Sequence, residues 1–137
     1  MELAIRYFTK SKKGNTEKIA MFVSEKLGIE AFPVKFPLKE RVDILFLINA
    51  MYAADIDKNV KYFLESNKEN IGSIVNINSA ASGASTHKAV KKVADKLGIP
   101  VSEKEFHTVA SWIFLNKGRP NEEDFKRLDS FLDGFKK

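Results

Sequence analysis

The first residues that could do chemistry follow the first apolar run of the chain, in the segment FTKSKKGNTEKIA of residues 8–20. Three lysines and several short hydroxyl and amide side chains surround Gly14, and a helical pattern begins directly after it. A helix that starts here leaves its first N–H groups without internal partners and carries partial positive charge at that end. The segment therefore predicts an anion site, and a phosphate site in particular, because Gly14 lets a ligand approach the backbone closely.

Two common nucleotide-binding loops do not fit these residues. A Walker loop needs Lys and then Ser or Thr after its last glycine, whereas Asn15 follows Gly14. A dinucleotide-binding loop needs three glycines, and this segment has only Gly14. An ordinary capped helix start remains an alternative, with Asn15 or Thr16 as the N-cap residue and the lysines in solvent.

Two further segments that could contact a ligand are MYAAD (residues 51–55) and SAASGAS (residues 79–85). Tyr52 could stack on a flat ring and keep its hydroxyl in water. The alternative is that Met51 and Tyr52 close the core beneath their loop. The second segment has no bulky side chains, so its backbone N–H and C=O groups would be accessible to a ligand, or the segment is a plain flexible connection.

The remaining polar residues predict no separate catalytic centre. His87 and His107 are far apart in sequence and have no clustered acids, so they predict no metal site; we expect His87 on the surface and His107 in a structural role. Asp55 and Asp57 precede a helical pattern and are typical of an N-cap. The absence of cysteine excludes disulfides, thiolate ligands and cysteine nucleophiles. Trp112 is predicted to lie in the core.

The elements that must position these residues alternate between two periods. Strand-like apolar runs occupy residues 2–8, 30–35, 42–48 and 72–78, with a less regular one across 101–114. Apolar stripes of helical period lie between them and after the last one. Gly28 and Gly98 follow two of these stripes and are predicted as left-handed C-cap residues. Only FPLKER separates the second and third strands, which leaves no room for a full helix there.

Strands that alternate with helices predict a doubly wound parallel sheet in an α/β protein, with right-handed crossovers and helices on both faces. Ligands of such sheets bind outside the carboxyl ends of the strands, where the strand order reverses. The loops at 9–16, 49–56 and 79–86 would all lie at that edge. The three chemical segments are therefore predicted to form one site.

Length and charge limit the classes of function. A chain of 137 residues predicts one domain, residues 1–137. The 23 basic and 18 acidic residues give a net charge of +5, but the basic residues are scattered among acids and are not interleaved with stacking aromatics, so we expect no nucleic-acid binding. No apolar stretch has the length of a membrane span, and the N-terminus is predicted as a strand and not a signal peptide. The expected location is cytoplasmic.

Four segments, in order, resemble the flavodoxin family. SKKGNTEKIA behind the first strand is similar to the family's phosphate loop, Ser/Thr-x-Thr-Gly-x-Thr. DILFLINAMYAADIDKNVKYFLE resembles its third strand, flavin-contacting loop and following helix, and IVNINSAASGASTHKAVKKV resembles its fourth strand and flavin loop. NKGRPNEEDFKRLDSF is similar to the end of small members, where Asn121 caps a helix. The resemblance implies a three-layer α/β/α fold with five parallel strands in the order 2-1-3-4-5.

The resemblance also implies non-covalent binding of FMN and a set of contact residues. The phosphate would be held by the first loop, which contains Ser11, Lys12, Lys13, Gly14, Asn15 and Thr16. The isoalloxazine ring would lie against Ala50, Met51, Tyr52 and Ala53. Its polar edge would meet the backbone around Asn78, Ser79, Ala80, Ser82 and Gly83.

Three functions are compatible with this resemblance. The favoured one is a one-electron carrier between redox partner proteins, as a monomer or weak homodimer, because no proton-donor cluster and no NAD(P)H fingerprint is visible in the sequence. The second is an FMN-dependent reductase of a quinone or another small molecule. The third is a binding module that has lost FMN. Whether the protein is an enzyme is left open by the residues.

Overall fold

A computed structural model describes residues 1–10, 14–111 and 118–135 of the chain. The five strands are β1 (Leu3–Tyr7), β2 (Ala31–Pro33), β3 (Ile44–Ala50), β4 (Ile74–Ala80) and β5 (Phe106–Val109). The four helices are α1 (Asn15–Leu27), α2 (Lys58–Asn67), α3 (His87–Leu97) and α4 (Glu122–Asp133), and a short 3-10 helix (Lys68–Asn70) follows α2. Strand and helix alternate along the chain, as the sequence predicts.

The strands form one parallel sheet in the order β2-β1-β3-β4-β5, which confirms the predicted topology. β1 lies between β2 and β3, with Ile5 opposite Ala31 on one side and Phe46 on the other. The chain therefore leaves β1 toward one edge of the sheet and returns to its other side at β3. The strand order reverses at this pair, so the ligand-binding edge of the fold is expected at the carboxyl ends of β1 and β3.

Helices cover both faces of the sheet and give the three predicted layers. α1 and α4 pack on one face, where Ile19, Val23 and Leu128 meet strand residues such as Ile5 and Phe46. On the opposite face α2 and α3 pack against the sheet. The buried members of that second core include Leu45, Leu47, Val60, Phe63, Leu64, Val90 and Ala94. Because side chains alternate across a strand, β3 supplies both cores, which explains its nearly unbroken apolar sequence.

The link between β2 and β3 contains no helix, as its length predicts. The buried Arg6 of β1 fixes this link, because its guanidinium donates hydrogen bonds to the carbonyls of Phe36 (2.9 Å) and Pro37 (3.1 Å). A third hydrogen bond, to the carbonyl of Ile5, is 3.0 Å long. Burial lowers the pKa of Arg6 from its ordinary value. A loop held by these hydrogen bonds therefore occupies the position where a crossover helix would pack.

Predicted helix ends agree with the structure at most positions. Gly28 and Gly98 have φ angles of 70° and 74° and end α1 and α3 in the left-handed region. Asp57 caps α2 by accepting the N–H of Asn59, and Asn121 begins α4 with a capping box. Within the three described ranges, no helix has both the length and the apolarity needed to cross a membrane.

Two strand boundaries differ from the prediction in a way that affects the site. The sequence places the ends of the third and fourth strands at residues 48 and 78, whereas β3 continues to Ala50 and β4 to Ala80. Asn49 is therefore a strand residue, and Asn78 lies inside its strand and not at the strand end, with 1% and 0% of their surfaces exposed. Polar side chains at these positions resemble a loop in sequence, but hydrogen bonds inside the protein satisfy them.

Candidate functional site

The candidate site lies where β1, β3 and β4 end. The segments that follow these three neighbouring strands include Gly14 at the start of α1, residues 51–57 and residues 81–86. The fold therefore brings the three predicted loops to one edge of the sheet. Ser11, Lys12 and Lys13, the centre of the predicted phosphate loop, lie outside the described residues, as does Trp112.

The start of α1 has the features of an anion site. Its N-cap residue is Gly14, which has no side chain with which to occupy the first helical N–H groups. The alternative with Asn15 or Thr16 as N-cap is wrong, because both residues are already helical. Thr16 is 4% exposed. The Asn15 amide donates to the carbonyl and the hydroxyl of Ser111, both at 3.2 Å, and so joins α1 to the chain after β5. Gly14 therefore supplies no side-chain cap to the first N–H groups of this helix.

A tight turn follows β3 at residues 52–55. The backbone N–H groups of Tyr52 and Asp55 donate to each other's carbonyls at 2.8 and 2.9 Å. Between them Ala53 and Ala54 have φ angles of 50° and 63°, a left-handed conformation that residues with a Cβ rarely adopt. Strained backbone of this kind persists where surrounding structure holds it and is frequent at functional sites. The sequence contains no glycine that would signal this turn.

Tyr52 lies at the carboxyl edge of the sheet, but one face of its ring is in contact with the first loop. The Lys10 ammonium is 4.3 Å from the ring centroid, and the Tyr52 hydroxyl accepts the Lys10 N–H at 3.2 Å. Phe8 meets the ring edge-on, with centroids 6.5 Å apart. The same ammonium lies 3.7 Å from Asp57, the cap of α2. Tyr52 therefore joins the first loop to the second, and Met51 joins β4 through a hydrogen bond to Ser79.

The third loop begins at residue 81, because Asn78, Ser79 and Ala80 are buried in β4. Gly83 has a φ of 77° and donates its N–H to the Ala80 carbonyl at 3.0 Å. The Ser82 hydroxyl accepts the N–H of Ala84 at 3.2 Å. The Gly83 carbonyl is 2.9 Å from Nδ1 of His107, which supports the expected structural role of this histidine. The loop is ordered by its own turns, and the N–H groups of Gly83, Ala84 and Thr86 are already engaged.

A closed ring of buried hydrogen bonds lies beneath this loop. Asn49 donates to Asn76 (2.7 Å), Asn76 donates to the hydroxyl of Thr86 (3.0 Å), and that hydroxyl donates to the amide oxygen of Asn49 (2.7 Å). Asn78 continues the network by donating to the Ala84 carbonyl and accepting the Thr86 N–H, both at 3.0 Å. We call Asn49, Asn76 and Thr86 the polar ring. It fixes the Thr86 end of the 81–86 segment to β3 and β4.

Sequence reasoning missed the polar ring. The available signal was two asparagines within an apolar strand, which need partners when buried. Their partners could not be assigned, because Asn49 lies 27 residues from Asn76 in sequence. Thr86, directly before α3, looked like an ordinary helix start.

A serine, a glutamate and a histidine meet next to the third loop. The Ser85 hydroxyl donates to Glu105 Oε1 at 2.5 Å and accepts the His87 N–H at 3.0 Å. His87 Nδ1 is 3.8 Å from Glu105 Oε2, buried, and without a hydrogen-bond partner among the described residues. The expected surface position of His87 is wrong, since its side chain is 14% exposed. The serine proton points at the carboxylate and not at the histidine, so this is not the geometry of a nucleophilic serine.

Comparison with solved structures identifies the architecture. An archaeal flavodoxin superposes with a TM-score of 0.73 at 10% sequence identity, over 96% of this chain and 93% of that one. Flavodoxin 2 of Bacillus cereus has a TM-score of 0.69 and 16% identity, over 98% and 97%. A short-chain flavodoxin associated with a bacterial microcompartment has a TM-score of 0.68 and 18% identity, over 98% and 96%. The chain has the flavodoxin fold.

No protein-family model and no curated protein sequence matches this chain. The similarity to the solved structures confirms the resemblance seen in the sequence at the level of the flavodoxin fold. In the described parts of the chain, no group of three or more histidine, aspartate or glutamate side chains could hold a metal ion. The candidate ligand-binding groups at the carboxyl edge of the sheet lie in the three loops described above.

Proposed function

We propose that this protein binds one FMN at the carboxyl edge of its sheet and works as a one-electron carrier between redox partner proteins. The observation that supports this most is the start of α1, where Gly14 leaves the first helical N–H groups without a side-chain cap. That helix end lies next to two ordered loops, at the reversal point of a flavodoxin fold. A helix end of this kind binds phosphate through its N–H groups and its dipole.

The described residues fit the phosphate end of FMN better than they fit its ring. Gly14 and Thr16 would hold the phosphate through backbone N–H groups, and Ser11, Lys12 and Lys13 would complete that loop. Tyr52 would lie against the isoalloxazine ring on the face that Lys10 leaves open. The flavin would supply the electron transfer, while the protein positions it and sets its electrostatic environment. Ser82, at the tip of the third loop, would approach the polar edge of the ring.

A carrier function agrees with how Glu105 and His107 are engaged near the third loop. Glu105 is tied to Ser85, and Nδ1 of His107 is at hydrogen-bond distance from the carbonyl of Gly83, so neither is poised to exchange protons with a substrate above a flavin. A small-molecule reductase and a module without FMN are the other candidates. A monomeric or weakly dimeric state, a cytoplasmic location and the lack of nucleic-acid binding stay predictions from the sequence.

FMN titration of Gly14 variants tests the proposal at its most specific point. We expect FMN fluorescence to be quenched on binding to the native protein. Gly14→Asp should raise thermal stability slightly, because Asp caps helices better than Gly. It should also weaken FMN binding at least tenfold, because it places a carboxylate against the phosphate. Gly14→Asn is the matched control, since it caps the helix without adding charge.

Riboflavin separates the phosphate from the ring in the same titration. Because it lacks the phosphate, its affinity should change less than twofold in Gly14→Asp. If the native protein quenches neither flavin, it is a module without the cofactor. A loaded protein that turns over a quinone with NADPH in the steady state would be a reductase and not a carrier.

A further inference from the structure

A second cavity lies on the β2 side of the sheet, away from the 51–55 turn and the 81–86 loop. It is a groove of about 970 Å³ between α2 and the chain that leaves β2, and its upper end reaches the residues that follow β1. Its main walls are Phe8, Pro33, Val34, Asn59, Tyr62 and Phe63. We call this cavity the β2 groove. Its size is typical of pockets that bind small molecules.

The β2 groove exists because the link from β2 to β3 has no helix. A crossover helix would pack over β1 and β2 next to α2, and only the loop held by Arg6 lies there. Asn67 holds the other side, since its side chain accepts the Leu38 N–H and donates to the Phe63 carbonyl, both at 2.9 Å. These hydrogen bonds tie the loop to the sheet and to α2. The groove is therefore formed before any ligand arrives.

The composition of the walls favours a flat apolar ligand. The groove face of α2 presents Asn59, Tyr62 and Phe63, without a charged side chain, on a chain in which 30% of residues are charged. Tyr62 stands at the rim and is 72% exposed, so its ring is accessible to a ligand. Aromatic and proline walls bind planar rings through stacking and apolar contact.

Lys35, at the mouth of the groove, favours an anionic group on that ligand. Among the described lining residues the charged ones are Lys10, Lys35 and Glu17. Lys35 has no carboxylate within ion-pair distance among the described residues, and its ammonium lies 5.3 Å from the Phe36 ring. Lys10 is partly compensated by Asp57 at 3.7 Å. Glu17 lies near Tyr7, where burial and then the Glu17 charge raise the pKa of the Tyr7 hydroxyl.

We propose that the β2 groove binds a small flat aromatic anion, such as an aromatic carboxylate, with its ring between Tyr62 and Pro33 and its charge near Lys35. This site shares Thr9 and Lys10 with the first loop of the proposed FMN site and otherwise lies apart from it. No residue of the 51–55 turn or the 81–86 loop is among its described lining residues. Because the ligand is placed at Tyr62, Pro33 and Lys35, a small molecule could bind here with flavin present, and the groove gives this protein a second ligand class.

NMR titration with 2-naphthoate tests the proposal, with 2-naphthalenemethanol as a neutral ligand of similar shape. Each is added to the ¹⁵N-labelled native protein, with and without FMN. We expect amide shifts that saturate with 2-naphthoate and cluster around Lys35, Asn59 and Tyr62. The neutral alcohol should bind more weakly by about threefold to tenfold, the range for a partly exposed charge interaction.

Two variants, Lys35→Ala and Tyr62→Ala, assign the binding to the β2 groove, and Glu17→Gln tests only the sign of the charge interaction, because Glu17 also lines the groove between α1 and α4. Lys35→Ala should remove the preference for the anion and leave the alcohol within twofold. Tyr62→Ala should weaken both ligands, since it removes a wall of the groove. Glu17→Gln should strengthen 2-naphthoate and leave the alcohol unchanged. Lys126→Ala is the matched control, because Lys126 lines a different groove between α1 and α4.

The outcomes separate this proposal from its rivals and from the proposed function. Equal binding of the two ligands, shifts clustered around Phe22 and Phe125, or no saturable shifts would each overturn it. So would Tyr62-dependent dimerisation in sedimentation experiments, which would make the groove a contact between two copies. Failure of FMN titration leaves this result untouched, since the ligand series is also measured without flavin.

Discussion

At the scale of single residues, the polar ring decides whether the third loop is preorganised. Asn49 and Asn76 are 1% and 0% exposed, and Thr86 is 1% exposed. Each side chain both donates and accepts within the ring, and removing the Thr86 hydroxyl leaves the Asn76 amide N–H and the Asn49 amide oxygen without their ring partner. Unsatisfied buried groups cost more than the lost bond contributed.

Thr86→Val tests this, because it replaces a hydroxyl with a methyl group of the same shape. We expect the free energy of unfolding to fall by about 1–3 kcal/mol, from the two unsatisfied amide groups of Asn49 and Asn76. Chemical denaturation measures the change. Ser82→Ala is the control, since its hydroxyl lies in the exposed loop and should cost under about 0.5 kcal/mol.

A double-mutant cycle of Thr86→Val with Asn49→Leu shows whether the ring acts as a unit. The double variant should cost less than the sum of the two single ones, because the second substitution removes a group that the first left unsatisfied. Strictly additive losses would mean that these contacts are independent and that the ring has no collective role.

Tyr52 is the residue that tests whether the proposed flavin site sets the one-electron potentials of FMN. In FMN-loaded protein, an electron-rich ring against the flavin disfavours added negative charge. We expect Tyr52→Ala to weaken FMN binding by about 0.5–1.5 kcal/mol of stacking energy. The more negative of the two one-electron potentials should rise by up to about 60 mV, since tenfold in a one-electron equilibrium is about 59 mV. A redox titration measures both potentials.

Tyr52→Phe is the matched control for that experiment. It keeps the ring and removes only the hydroxyl that accepts the Lys10 N–H. Its potentials should stay close to those of the native protein. If Tyr52→Ala lowers thermal stability and changes neither affinity nor potentials, Tyr52 serves only to join the first two loops.

At the scale of elements, α4 depends on one buried carboxylate. Asp124 is 3% exposed and accepts hydrogen bonds from Arg119 (2.6 and 2.8 Å), from Arg127 (2.9 Å) and from the N–H of Asn121 (2.8 Å). The hydrogen bond from Arg119 is the main reason that the pKa of Asp124 lies well below its usual value, against the opposite effect of burial. A single side chain thus caps α4 and anchors the chain that enters it.

The pH dependence of stability follows from this lowered pKa. A carboxyl group with a lower pKa in the folded state stabilises the protein above its unfolded pKa of about 4, and this contribution is lost as pH falls below that value. We expect Asp124→Asn to lower the free energy of unfolding by about 2 kcal/mol at pH 7. The gap to the native protein should narrow between about pH 5 and pH 2. Asp129→Asn, at a half-exposed position of the same helix, should show no comparable narrowing.

The sequence predicted which strands and helices exist more accurately than it predicted the residues at which they end. It predicted those ends more accurately than the side-chain contacts between elements. Strand and helix periods indicated all five strands, the four helices and the missing β2–β3 helix, because local burial pattern determines them. The ends of β3 and β4 were placed two residues early, since the polar residues Asn49 and Ser79 directly follow the apolar runs and look like loop residues in sequence. The contact of Lys10 with Tyr52 joins residues 42 apart in sequence and has no local signal.

At the scale of the whole molecule, a net charge of +5 gives the protein a positive field toward any anion. A phosphate monoester carries about −1.5 to −2 charges at pH 7, so FMN should feel that field. Only charges within about one Debye length matter at moderate salt, and this length is about 10 Å at 0.1 M. Lysines close to the bound phosphate and lysines far from it therefore contribute differently to the affinity for FMN, and experiments can separate the two contributions.

Salt titration of FMN binding makes that separation. We expect the dissociation constant of FMN to rise between low salt and about 0.5 M, while that of riboflavin stays nearly constant. Lys12→Ala combined with Lys13→Ala should weaken FMN binding by up to about fivefold per lysine at low salt, the upper range for an exposed ion pair, and should flatten the salt dependence. Lys96→Ala is the control, because Lys96 lies in the last turn of α3, far along the helix from the carboxyl edge. If Lys96→Ala has the same effect as the loop variants, the attraction comes from net charge alone. If the dissociation constant of FMN changes neither with salt nor with the loop lysine substitutions, the phosphate is held by the N–H groups of α1 without help from the loop lysines.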